Sequence, residues 1–92
     1  MRFFIDPDTG EPHIYAHGVE ENEVEDVLFF PGEDRRGRGR SRTAIGRTRR
    51  GRYIRVVYIP HPDPDELFII TAYELRGRQL SAYRRRARRR GR

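Results

Sequence analysis

Three histidines and a large supply of arginine are the residues of this 92-residue chain with chemistry to offer, and the histidines are His13, His17 and His61. Cleavage of RNA through its own 2'-hydroxyl needs a base, an acid and a cation over the phosphate. His with Arg, or Tyr with Arg, can supply them. Among the imidazoles His17 is the first candidate for the acid or base; its bland alternative is a hydrogen bond at the start of a helix. His13 and His17 stand at i and i+4, which would put both rings on one side of a helix, but Pro12 and Gly18 confine that stretch to barely a turn. With no Cys in the chain and no convincing third ligand, neither a metal nor another cofactor is expected. His61 sits in a proline turn and is given no chemical part. The glycines lie among arginines with no apolar strand leading in, so there is no phosphate loop, and no nucleophile elbow surrounds Ser41 or Ser81.

All twenty basic residues are Arg, and the formal charge of +6 divides unevenly. Residues 1–34 hold ten acids against Arg2 alone, a net -9, whereas residues 35–92 hold nineteen Arg against four acids, a net +15. Biased codon usage explains an all-Arg composition as readily as selection for the planar, bidentate guanidinium does. A block so basic is nevertheless the footprint of contact with a phosphate backbone in RNA or DNA. Its alternatives are a solvated surface and a face neutralised by an acidic protein. Tyr53, Tyr58, Tyr73 and Tyr83 interleave with Arg55, Arg76 and Arg84. Exposed, such rings give unstacked bases a surface to lie on; buried, they are core with a polar tip.

The length allows one small core. Residues 1–5 read as a short strand, closed by the turn-forming Asp6-Pro7-Asp8-Thr9-Gly10. Val24, Val27 and Leu28 then share a helical face. Glu20, Glu21, Glu23, Glu25 and Asp26 fill the early turns, where the helix dipole favours acids. With Glu20 as N-cap, Val19 and Val24 form a hydrophobic staple, Glu23 takes the capping-box position, and Pro31-Gly32 ends the helix. Residues 33–41 contain no apolar side chain and read as a mobile loop. Strands follow at residues 42–48 and 53–59, joined by Arg49-Arg50-Gly51-Arg52, with Gly51 free to take a positive φ. In that register Ile45, Ile54, Val56 and Tyr58 share one face, while Tyr53, Arg55 and Val57 share the other.

The turn at residues 60–65, rich in proline, precedes a third strand at 67–75, which completes an antiparallel meander. A last helix begins near residue 76 with Leu80, Tyr83 and Ala87 on one face, and its order fades beyond Tyr83 because like charges at i, i+4 repel. The class expected is α+β: a short N-terminal strand plus a three-strand meander forming an antiparallel sheet, with two helices packed on it. Residues 1–83 form a single domain and 84–92 a disordered Arg-rich tail. The longest apolar run, residues 67–72, falls far short of the ~20 a membrane span needs, and residues 1–5 reach Asp6-Pro7 too early for a signal peptide. The absence of Cys removes disulfide staples. A cytoplasmic protein without a membrane partner is expected.

Several words of the chain, in order, resemble small bacterial toxins of the BrnT type and their relatives. They are His17-Gly18-Val19; Glu23-Val24-Glu25-Asp26-Val27-Leu28 with Pro31; Ile45-Gly46-Arg47-Thr48; Gly51-Arg52-Tyr53 leading into Val56-Val57-Tyr58; and Ile69-Ile70-Thr71-Ala72-Tyr73. The resemblance spans roughly residues 14–83. It implies a RelE-like fold, with helices on one side of a sheet and an open basic face on the other. It also implies an endoribonuclease that cleaves mRNA and stops translation, restrained by a cognate antitoxin. Carried over residue by residue, it nominates His17, Arg47 and Tyr58 for catalysis and Arg52 for holding phosphate. BrnT-type chains commonly have Arg where this one has Tyr73, so the cation over the phosphate falls to Arg76 or Arg84. Arg55 and Tyr73 complete the expected RNA contacts. The rival expectation is a non-catalytic nucleic-acid-binding or regulatory module whose Arg-rich face only grips phosphate.

Overall fold

Strict alternation of buried and half-buried residues along Tyr53–Ile59 marks the middle strand of the sheet, packed on both faces. The computed structural model describes residues 1–90. In chain order the elements are β1 (Arg2–Phe3), a 3-10 helix (His13–His17), α1 (Glu21–Phe29), β2 (Glu33–Arg36), β3 (Arg42–Arg47), β4 (Tyr53–Ile59), a 3-10 turn (Pro64–Glu66), β5 (Phe68–Glu74) and α2 (Gly77–Arg90). The architecture is α+β. Five strands lie in the order β1-β5-β4-β3-β2. Strands β2 to β5 form antiparallel neighbours, but β1 runs parallel to β5, so the sheet is mixed rather than wholly antiparallel.

The strand β2 occupies ground expected to be a mobile loop. It has no apolar side chain, yet a ladder is made by backbone groups, and Arg42 Nε reaches Asp34 Oδ1 at 2.8 Å across it. Only residues 37–41 remain as a connection, tightened by the Gly37 amide donating to the Ser41 carbonyl at 2.9 Å. The next hairpin also differs. Arg47 pairs with Tyr53, so the loop is residues 48–52, one longer than expected, with Gly51 at φ 87°. That single residue turns Ile45 over: it pairs with Arg55 and shares the face of Tyr53 and Arg55, not that of Ile54 and Val56.

The sheet carries a helix on each face. Val24 and Val27 of α1 pack with Ile14, Val19, Ala44, Ile54, Val56, Tyr58, Ile69 and Ala72. The helix begins as its sequence indicated: Glu20 is the N-cap, the Glu23 carboxylate accepts its amide at 3.2 Å, and Val19 and Val24 are buried. On the opposite face Tyr83 of α2, flanked by Leu80 and Ala87, packs on Ile45, Leu75 and Tyr53. Both helices therefore do not lie on one side, as the BrnT-type resemblance implied. The bare Cα of Gly32 allows this docking, because any side chain there would collide with the Tyr83 hydroxyl.

Order does not fade after Tyr83; α2 continues to Arg90. The reason lies on β2. The buried Glu33 carboxylate accepts from Arg86 Nε at 2.8 Å and Nη2 at 3.0 Å and from Arg90 Nη1 at 2.8 Å, so repelling arginines share one anion. Those hydrogen bonds, Arg86 foremost, hold the Glu33 carboxyl at about 2. The last two residues of the expected tail, 91 and 92, lie outside the described residues. No described helix is long and apolar enough to cross a membrane.

Candidate functional site

Acidic neighbours divide the arginines into two groups. Arg52 is committed to structure: its Nη1 donates to the Gly18 carbonyl at 3.0 Å and to the buried Glu23 at 3.3 Å, and its Nε lies 3.7 Å from Glu74. It thereby ties the start of α1 to the ends of β4 and β5, which accounts for a role other than the phosphate contact expected of it. Arg76 pairs with the same Glu74 at 3.1 Å. By contrast, among the described residues no carboxylate lies within ion-pair distance of Arg47, Arg55 or Arg84. All three belong to the face that α2 only partly covers.

Two constellations gather there. The first runs along the outer edge of β5. His13 Nδ1 lies 3.4 Å from Asp6 Oδ2, and the His13 ring meets His17 edge-on with centroids 5.1 Å apart. The exposed His17 lies 6.1 Å from the Tyr73 ring, and Arg55 Nη1 donates to the Tyr73 hydroxyl at 3.3 Å. The Asp8 amide, and after it His13, holds the Asp6 carboxyl below its usual value. An imidazole, a phenol and a guanidinium thus follow one another, with a carboxylate behind the second imidazole. Such a set can accept a proton, donate one and stabilise an anion.

The second constellation is a cleft between the end of α1, β3, β4 and α2. Tyr53 is its centre, with the Arg47 Cζ 5.8 Å and the Arg84 Cζ 5.2 Å from its ring. Tyr83 packs at 5.8 Å from Tyr53, and burial pushes its hydroxyl pKa up.

The nominated catalytic group of His17, Arg47 and Tyr58 is not brought together. Tyr58 lies on the α1 face, 7% exposed, and donates to Asp34 Oδ2 at 2.6 Å. Burial first, and then Asp34, push its hydroxyl up to about 12, so it cannot serve as a base near neutrality. Arg47 belongs to the cleft and His17 to the β5 edge. From the sequence His13 figured only as a possible metal partner of His17, and Asp6 only as a turn residue. The i, i+4 spacing of the two histidines was the available signal, because the 3-10 turn still brings their rings into contact. Residues 14–74 match the family model described as a domain of unknown function, DUF4258. No curated protein and no solved structure matches the chain.

Proposed function

We propose that this chain, which belongs to the DUF4258 family, is an endoribonuclease. In this reading it is the toxin of a type II toxin–antitoxin pair, of the RelE-like, BrnT type. It acts on cytoplasmic mRNA and is silenced by a cognate antitoxin. The observation that carries the reading is the line at the β5 edge, where His17 sits 6.1 Å from Tyr73 and Arg55 donates to the Tyr73 hydroxyl at 3.3 Å.

In the proposed reaction the His17 imidazole removes the 2'-hydroxyl proton and the freed oxygen attacks the adjacent phosphorus. The bond from phosphorus to the 5'-oxygen breaks, and the Tyr73 hydroxyl gives its proton to that departing oxygen. The products are a 2',3'-cyclic phosphate and a 5'-hydroxyl. Arg55 faces the charge that builds on the non-bridging oxygens. Base, acid and cation are all side chains, so the scheme calls on no metal.

The test is incubation of purified protein with end-labelled single-stranded RNA in the presence of a chelator. Fragments ending in cyclic phosphate are expected, and His17→Ala or Tyr73→Phe should lower the rate by about 100-fold or more. Tyr58→Phe should cleave normally. Intact RNA, retained in a strongly salt-dependent complex, would instead support the second reading, a non-catalytic nucleic-acid-binding module. That reading is favoured by the Tyr53 cleft, where unpaired arginines gather with no imidazole beside them.

A further inference from the structure

Two adjacent phenylalanines end α1 with their rings in solvent, Phe29 at 64% and Phe30 at 78% exposure. Neighbouring Leu28 packs on the core, so apolar rings left in water at this point are a feature in want of a partner. Phe30 lies at the mouth of the Tyr53 cleft, whose lining also includes Arg47, Arg84 and Arg88 and contains no carboxylate. Tyr53 draws two of these guanidiniums to within 6 Å of its ring, so both converge on the same cleft.

An inorganic anion would satisfy the arginines but leave Phe30 in water. A nucleotide satisfies both, because guanidiniums match phosphate and an unpaired base stacks on an aromatic face. We infer that this cleft is a nucleotide subsite in which Arg47 and Arg84 hold a phosphate and Phe30 receives the base. The choice of a nucleotide rests on the RNA reading above. Spacing agrees with it: Tyr53 and Arg55 are two residues apart on β4, about 6.6 Å, roughly one nucleotide step along a single strand. RNA lying across the face would place one phosphate in the cleft and a neighbouring one at Arg55.

Binding of adenosine 5'-monophosphate, inorganic phosphate, adenosine and a hexaglutamate peptide is compared by amide chemical-shift titration of the intact chain. The nucleotide should move the Gly32, Arg47, Tyr53 and Ala87 amides. It should bind about tenfold more tightly than phosphate or adenosine. Phe30→Ala, at an exposed position, should erase the advantage over phosphate while leaving phosphate binding intact. The Arg47→Ala, Arg84→Ala double variant should lose both. Equal affinity for nucleotide and phosphate, or shifts elsewhere on the surface, would overturn the subsite. Tighter binding of hexaglutamate would overturn it in favour of a docking surface for an acidic protein. Nucleotide bound in the cleft by a protein that cleaves no RNA would uphold the subsite and sink the nuclease. Cleavage by a protein whose cleft ignores the nucleotide would do the reverse.

Discussion

The two faces of the sheet hold their helices by different balances of apolar burial and ion pairing. On one face nine-residue α1 inserts Val24 and Val27, both fully buried, among the side chains of β3, β4 and β5. Fourteen-residue α2, on the other face, buries only Tyr83 and is fastened at its far end by the ion contacts of Arg86 and Arg90 with Glu33. Apolar burial is insensitive to salt and pH near neutrality, whereas an ion cluster is not. The α1 face is therefore scaffold. The α2 face is the one on which Arg47, Arg55 and Arg84 have no acid partner among the described residues, and the proposed RNA contacts lie there.

This contrast can be tested from its strongest side downward. Ile54→Ala empties a fully buried site on the α1 face and should cost about 3 kcal/mol, read from the midpoint of urea unfolding. Glu33→Gln should cost about 1 kcal/mol, because Arg86 and Arg90 are 30% and 43% exposed and solvent screens much of the interaction. Its clearer signature is in acid. The native carboxyl is held at about 2 against an ordinary 4.5, so its stabilisation is complete above about pH 4.5 and lost as pH falls toward 2. The thermal midpoint of the native chain should drop through that window more than the variant's does.

Tyr58→Phe should also cost about 1 kcal/mol through the lost hydrogen bond to Asp34. Here the sign reverses. A native hydroxyl raised to about 12 from 10 stabilises fully below pH 10 and ceases to do so as pH climbs to 12, and the variant should lack that alkaline loss. The smallest expected effect on folding, within about 0.5 kcal/mol, belongs to Arg84→Ala. That substitution should nonetheless reduce the slope of RNA affinity against salt by about one phosphate contact. A large stability loss there would erase the division between the two faces.

Much of the scaffold was legible. The i, i+3, i+4 spacing of Val24, Val27 and Leu28 and the staple of Val19 with Val24 depend on neighbours in the chain, as does the alternation along β4. The strand β2 was not legible, because Glu33 to Arg36 carry no apolar pattern and pair through backbone groups with β3. Nor was the face of Ile45, which one residue in the hairpin loop reverses. Of the candidate site, His17, Arg47, Arg55, Tyr73 and Arg84 were named from the chain, but not which of them meet. That Tyr58 and Arg52 are engaged in the scaffold was not legible, because their partners, Asp34 and Glu23, are distant in sequence.

The sequence by itself determined the acidic front and basic back, the helix α1, four of the five strands and the absence of thiol chemistry, since each is a property of composition or of short-range spacing. Only the tertiary structure decided which arginines are neutralised. It paired Glu33 with Arg86 and Arg90, and Glu23 with Arg52, and among the described residues left Arg47, Arg55 and Arg84 without acids. The physical reason is that an ion pair acts over a few ångströms of space whatever the separation along the chain, and sheet register and helix docking set that distance.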